Sequence, residues 1–224
     1  MHILLNGYNG NMGQSIRHLS DEFPEITVQD FKVEKINIAT QSLVIDFSSP
    51  DYLSEILHTC IDQKLPLVIG TTGLNSNHHE LIDKAKKTIP ILMGSNMSVG
   101  IATLKKSITN FLMSSQKSFS CNLIEIHHTQ KVDAPSGTAI EIMKFLEELP
   151  GDKIQMPITV NSHRIGRAFG THRVEFYNSS ETISFQHIAH SRDIFASGAI
   201  AAAQWIISNP PGLYSFNDYL NKKL

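Results

Sequence analysis

His2-Ile-Leu-Leu-Asn-Gly-Tyr-Asn-Gly-Asn-Met-Gly13 decides the fold. His2 to Asn6 reads as a short apolar strand, and Gln14 to Glu22 has the texture of a helix. Between them lies Gly7-Tyr8-Asn9-Gly10-Asn11-Met12-Gly13. In a strand, glycine turn and helix of this kind, glycines let the backbone turn tightly and approach a pyrophosphate held on the helix N-terminus. The spacing is G-x-x-G-x-x-G rather than the commoner G-x-G-x-x-G, and glycines alone also suit a plain βα turn. Their position, after a strand and before a helix, favours the nucleotide.

The chain continues in the same rhythm. A second strand, Ile26 to Gln29, ends at Asp30, seventeen residues past Gly13 and about where such a fold places the acid that binds an adenosine ribose. Lys32 offers the opposite choice, a partner for a 2′-phosphate. Phe31 to Gln41 is short for a full helical crossover. Ser42 to Phe47 reads as a buried strand, followed by Ser48-Ser-Pro-Asp51, which is helix N-cap chemistry, and by a helix from Tyr52 to Lys64. Leu65 to Ile69 ends in Gly70-Thr71-Thr72-Gly73, a helix follows over 77–87, and Ile89 to Met93 ends in Gly94-Ser95-Asn96-Met97-Ser-Val-Gly100. Small residues at successive strand ends predict a parallel sheet with a ligand along its carboxyl edge.

After a helix over 101–113 the texture changes. Strand-like runs at 122–126, 158–162, 172–176 and 181–189 predict a mostly antiparallel sheet with one or two helices. Asp193 to Ser208 returns to an alanine-rich apolar helix that can pack back on the first domain. The fold class is therefore α/β: a Rossmann-like parallel-sheet nucleotide domain, residues 1–99 and 192–224, plus an α+β domain over 100–191 for substrate binding and oligomerisation. Hinges fall near 98–100 and 191–196.

The densest polar chemistry is Glu125 to Ala139, EIHHTQKVDAPSGTA. It lies on a strand-to-helix connection, where backbone amides can bind an anion. Ser136, Gly137 and Thr138 start the helix and suit a carboxylate or phosphate, while His127, His128 and Lys131 add titratable donors. An anionic substrate that needs a proton would find both there. An exposed basic loop with an N-cap is the plainer alternative.

Composition narrows the class. The 224 residues carry a net charge of −2, which gives no electrostatic case for nucleic acid or a membrane surface. Two cysteines, Cys60 and Cys121, form no CxxC and suit a reducing compartment. No run is long and apolar enough for a membrane span, and no signal peptide opens the chain, so a cytoplasmic protein is expected. The eleven histidines are scattered. A metal site is disfavoured because adjacent His127 and His128 in a strand would point to opposite faces.

Together these pieces resemble the 4-hydroxy-tetrahydrodipicolinate reductase (dihydrodipicolinate reductase) family, over nearly the whole chain. GYNGNMG resembles its nucleotide loop; VIDFSSP, VIGTTG and GSNMSVG resemble its next strand ends; EIHHTQKVDAPSGTA resembles its signature. SHRIG, GTHRVEF and HSRDIFASGAIAAAQWI are similar to its later elements. The resemblance implies His127 as proton donor and Lys131 as a catalytic and substrate-binding group, with His128, Gly137 and Thr138 binding substrate. It assigns Gly7, Tyr8, Asn9, Gly10, Asn11 and Met12 to the pyrophosphate, Gly70, Thr71 and Thr72 to the nicotinamide side, and Gly94, Ser95, Asn96 and Met97 to a further cofactor contact. It implies NADH or NADPH, a cyclic dicarboxylate substrate and a homotetramer. Three departures stand out: the short segment after Asp30, Met97 where phenylalanine is frequent, and Arg167 where an acid is usual. A non-enzymatic nucleotide sensor, or a dehydrogenase for another carbonyl or imine acid, would share the glycine loops; the sensor gives no reason for HHTQK before DAPSGTA.

Overall fold

The computed structural model describes residues 1–32 and 41–222. In chain order the elements are β1 (His2–Asn6), α1 (Asn11–Ser20), β2 (Thr27–Asp30), β3 (Ser42–Asp46), α2 (Leu53–Gln63), β4 (Leu67–Ile69), α3 (Ser76–Ala85), β5 (Pro90–Met93) and α4 (Val99–Ser114). Then come β6 (Phe119–His127), α5 (Gly137–Glu147), β7 (Ile154–Arg164), β8 (Gly170–Tyr177), β9 (Thr182–Ala189), α6 (Asp193–Ile206), β10 (Gly212–Ser215) and α7 (Phe216–Asn221). They divide into two compact units, Met1–Met97 with Arg192–Leu224, and Ser98–Ser191.

The first unit is built on a six-stranded sheet of order β10-β5-β4-β3-β1-β2, parallel throughout. Strands in such a sheet are covered on both faces and read as continuous apolar runs. Successive residues still point to opposite sides. Ile3 and Leu5 of β1 therefore join Ile16, Ile45, Val68, Leu92 and Ala199 in one apolar layer. Leu4 joins Val44, Leu53, Ile56, Leu67 and Ile82 in the other. Each large aliphatic side chain so buried stabilises the fold by about 1.5–3 kcal/mol. Strand order reverses between β1 and β3, which opens a crevice at the carboxyl edge.

Helix α6 completes this unit, as its apolar texture suggests. Most of its buried residues are small, namely Ala196, Gly198, Ala199, Ala202 and Ala203, and permit close packing. At Gly198 an added Cβ would lie 1.8 Å from the Met97 carbonyl oxygen. The helix thus holds the segment after β5 by backbone contact. The sequence reading did not anticipate β10 and α7. Strand β10 has four residues, follows Pro210-Pro211 and gains its identity only by pairing with β5. The abbreviated crossover expected after Asp30 lies mostly outside the described residues.

The second unit has a four-stranded sheet of order β7-β6-β8-β9. The β6/β8 and β8/β9 pairs are antiparallel, but β6 and β7 are parallel, with α5 between them in sequence. The sheet is thus mixed, mostly antiparallel. Strand β6 alternates strictly between buried and half-buried residues. On its buried face Phe119, Cys121 and Leu123 pack with Val174, Phe176, Ile101, Ile108 and Ile142. Glu125 and His127 continue that same face in polar form.

Gly198→Ala should destabilise the protein by about 1–3 kcal/mol, the range for overpacking. Thermal melting checks this, and an unchanged Tm would show that the Met97 segment is not pinned by this contact.

Candidate active site

Every proposed cofactor residue lies in the first unit, at or just beyond a strand's carboxyl end. Gly7 has φ +88°, and a Cβ there would overlap the Phe47 carbonyl oxygen at 2.3 Å. A Cβ at Gly13 would meet Gly7 O at 2.2 Å. The turn therefore closes on β3 and on itself with no room for side chains. Gly10 differs, since a Cβ there would meet Gly7 O alone, at 3.2 Å. It is the N-cap of α1, which has no side-chain cap bond and no acid in its first turn. An uncapped helix N-terminus without acidic neighbours suits a phosphate group. Tyr8 is held by Arg17, whose guanidinium lies 4.3 Å from the ring centroid.

Beneath this turn Asp46 is fully buried. It accepts from Asn6 Nδ2 at 3.0 Å, Ser48 Oγ at 2.6 Å and Thr71 Oγ1 at 2.7 Å. The ends of β1, β3 and β4 are thereby tied together. The next two loops are shaped by close packing: a Cβ at Gly70 would strike the Phe47 ring, Met97 is buried, and Thr72 and Ser95 are exposed. Asp30 accepts from the Lys32 amide at 3.0 Å, and the Lys32 ammonium sits 3.6 Å from the Tyr52 ring centroid. The residues present fit a dinucleotide: glycine backbone, an uncapped helix start and small strand ends.

The second unit holds the acid–base cluster. His127, buried at the end of β6, bonds through Nδ1 to Glu125 Oε2. The other oxygen, Glu125 Oε1, accepts from Arg164 at 2.9 Å. His172, opposite Glu125 on β8, is buried, lies edge-on to His127 with centroids 5.2 Å apart, and shares a 3.1 Å hydrogen bond with Ser136. Ser136 caps α5, accepting from the Ala139 amide at 3.1 Å. Lys131 pairs with Asp133 at 2.8 Å. Gly137 is exposed with nothing near its Cβ position, and Thr138 is half-buried. A Cβ at Gly170 would come within 3.1 Å of His127 Nε2, so glycine keeps that nitrogen clear.

Burial pushes the His127 pKa down, Glu125 opposes this, and Lys131 and Arg164 add to the lowering; the net shift is downward. For Glu125 burial pulls upward, but bonds from Ser162 and Arg164 and the adjacent positive charge outweigh it and hold the carboxyl below its usual range. Burial, with His127 nearby, pushes His172 down to about 3, so it is neutral at neutral pH.

Of the proposed substrate-site residues, His127 and Lys131 share this cluster with the start of α5. His128 directly follows the end of β6, its buried Nδ1 without a hydrogen-bond partner among the described residues. Arg167 is exposed in the turn before β8. Sequence reading missed Glu125, Arg164 and His172 as site residues, and Asp46 as their counterpart in the first unit. Period two was the available signal for Glu125, which must share a face with His127; Arg164 and His172 arrive there through strand register. Among the described residues the ligand-type group that comes together is not His127 with His128 but Glu125, His127 and His172, with ligand atoms within 4.8 Å of one another. Both Glu125 oxygens are already engaged, one by a guanidinium, which opposes a cation there.

A doubly wound nucleotide sheet, in one chain with an α+β unit carrying an imidazole–carboxylate cluster, defines an NAD(P)H-dependent oxidoreductase. Residues 26–97 match the dihydrodipicolinate reductase N-terminus and residues 100–220 its C-terminus. The chain belongs to the dihydrodipicolinate reductase family. It is 36% identical to the 4-hydroxy-tetrahydrodipicolinate reductase of Bdellovibrio bacteriovorus over 96% of this chain and 94% of that protein. It is 35% identical to the enzyme of that name from Campylobacter lari, over 98% and 99%. The dipicolinate-bound dihydrodipicolinate reductase from Paenisporosarcina sp. TG-14 shares the fold, with TM-score 0.73 at 19% identity, covering 96% of this chain and 97% of that one. These relatives leave the sensor reading without support.

Gly10→Val should weaken dinucleotide binding far more than it lowers stability, because a Cβ there meets a single protein atom, the Gly7 carbonyl oxygen at 3.2 Å, against the severe overlaps at Gly7 and Gly13. Fluorescence titration of NADH or NADPH against a folded variant checks it; unchanged affinity would remove the loop from the cofactor site.

Proposed function

We propose that the chain reduces 4-hydroxy-tetrahydrodipicolinate (dihydrodipicolinate) to tetrahydrodipicolinate with NADH or NADPH, in the diaminopimelate route to lysine. The observation that carries this reading is the cluster of His127, Lys131 and the capped start of α5 within a chain aligned along nearly its whole length with named reductases. The bound dinucleotide supplies a hydride. Reducing a conjugated C=C–C=N system also requires a proton at a second position, and an imidazole with a pKa near neutrality can supply it. His127 is that donor. Lys131 and the amides of Gly137 and Thr138 hold the two substrate carboxylates, with His128 as a further substrate contact.

In this reading residues 1–99 and 192–224 bind the dinucleotide and residues 100–191 bind substrate and mediate assembly. Gly7 to Met12 meet the pyrophosphate, Asp30 the ribose, and Gly70 to Thr72 and Gly94 to Met97 the nicotinamide end. The family resemblance supports a homotetramer in the cytoplasm, which sedimentation equilibrium and cell fractionation test. Turnover of freshly made substrate with each cofactor tests the reaction, and a substrate panel separates it from reduction of another carbonyl or imine acid.

His127→Gln should lower kcat by about 10²–10⁴-fold, the usual worth of a general acid, with dinucleotide affinity nearly unchanged. The acid must be protonated, so kcat/KM should fall as pH rises through the His127 pKa. Because that pKa is lowered, this limb lies below the ordinary histidine value of 6.5. Wild-type turnover in the variant would reduce His127 to a strand-end residue.

Cofactor choice rests on Asp30 and Lys32. The carboxylate favours the free diol of NADH and repels a 2′-phosphate, while the ammonium, held on Tyr52, pulls the other way. Exposed charges are screened, so we expect use of both cofactors with a modest preference for NADH. Asp30→Ser should shift kcat/KM toward NADPH and Lys32→Ser toward NADH. If neither moves the ratio, selectivity lies elsewhere.

A further inference from the structure

The reaction just proposed leaves unexplained why a carboxylate is buried behind His127. Glu125 has no exposed surface, and an ionised carboxylate in such a place is costly unless its oxygens are bonded. Both are: Oε2 to His127 Nδ1 and Oε1 to Arg164, with Ser162 adding a further bond. Arg164 does more than neutralise it. Its Nε donates to the Lys131 carbonyl at 3.2 Å, one terminal nitrogen donates to the Asp133 carbonyl, and the other serves Glu125 at 2.9 Å and the His163 carbonyl at 2.8 Å. One planar guanidinium therefore joins the carboxylate behind the imidazole to the backbone of the loop that carries Lys131.

We propose that Glu125 and Arg164 are positioning residues for this reaction: Glu125 fixes the tautomer of His127, and Arg164 locks that pair to the Lys131 loop. An ionised carboxylate only accepts, so Nδ1 keeps its hydrogen and Nε2 is left to exchange a proton with a ligand. Nε2 is the nitrogen that Gly170 keeps clear. Lysine in place of Arg164 keeps the charge but cannot span these four acceptors.

The groups around His127 fix the expected sign. Glu125 on β6 raises its pKa; burial, Lys131 in the following loop and Arg164 on β7 lower it. His172 on β8 is neutral at neutral pH, with His187 of β9 beside it and Asp133 paired to Lys131. Removing the Glu125 charge leaves the lowering influences unopposed.

The inference rests on the function proposed above, and the test separates the two. Glu125→Gln keeps the shape and loses the charge. It should lower kcat by about 10–100-fold, leave substrate KM and NADH affinity within about twofold, and move the alkaline limb of kcat/KM to lower pH. Arg164→Lys should lower kcat and also raise substrate KM several-fold, because it frees the Lys131 loop. Wild-type kcat and an unmoved limb in a folded Glu125→Gln protein would overturn the proposal. Should that variant fail to fold, unchanged kcat and KM in Arg164→Lys would overturn it equally. A ¹⁵N spectrum of histidine-labelled wild-type protein, assigned with His127→Gln, needs no substrate. Neutral His127 should carry its hydrogen on Nδ1, and an Nε2–H tautomer would overturn the proposal even if the wild-type enzyme did not turn over the proposed substrate.

Discussion

Removing an ionised carboxylate from water costs several kcal/mol unless hydrogen bonds or an opposite charge replace its hydration. Among the described residues two acidic side chains are buried, Asp46 and Glu125, one in each compact unit. Each ends an apolar run at the point where chemistry begins. Asp46 closes β3, and its partners Asn6, Ser48 and Thr71 come from the ends of β1, β3 and β4. Meeting the needs of one carboxylate thus fixes the edge on which the glycine turn and the GTTG loop stand. Glu125 continues the buried face of β6 past Leu123, and its partners His127 and Arg164 are the proposed acid and the anchor of the next loop. In both units a cost in burial is offset by bonds that also set geometry. Partial satisfaction would be worse than an apolar replacement, since a lost partner leaves a buried charge behind.

How much of this the sequence revealed follows from the range of each signal. The glycine at every third residue from Gly7 to Gly13 and the strand-end motifs at 70–73 and 94–97 are local, so the parallel sheet could be read directly. Helix α6 could be read because eight of the nine residues from Ala199 to Ile207 are small or apolar, a run with few other uses. Strand β10 could not, because four residues acquire strand character only through Pro90–Met93. The parallel β6/β7 pair also escaped local reading, since pairing direction is a property of partners. The same division holds at the site. His127, Lys131 and the Ser136–Thr138 helix start lie within one stretch and were visible, whereas Arg164 and His172 lie 37 and 45 residues beyond His127 and reach it only through register. Glu125 was within reach of period two, but a strand glutamate next to a histidine pair reads first as a solvated strand end.

The two helix starts proposed to meet anions are built differently, and the difference suits the role proposed for each. At α1 the N-cap is Gly10, no side chain competes for the first amides, and no acid stands in the first turn. That arrangement suits a charge met by fixed dipoles, and the close approach of the proposed pyrophosphate, without a titratable group beside it. At α5 Ser136 occupies the Ala139 amide with its hydroxyl and the Ile140 amide with its carbonyl oxygen, and Ser136 is itself held by His172. Donors at this helix start are therefore narrowed toward Gly137 and Thr138, beside a lysine whose charge is already balanced by Asp133. Burial keeps His172 neutral, so it can orient Ser136 without adding a second positive charge next to His127. That restraint matters, because another cation would lower the His127 pKa further and deplete the protonated form the proposed reaction needs. The proposed dicarboxylate substrate would act in the opposite sense: carboxylates near His127 favour the imidazolium, so in the proposed reaction substrate binding raises the readiness of that acid to donate when the proton is required.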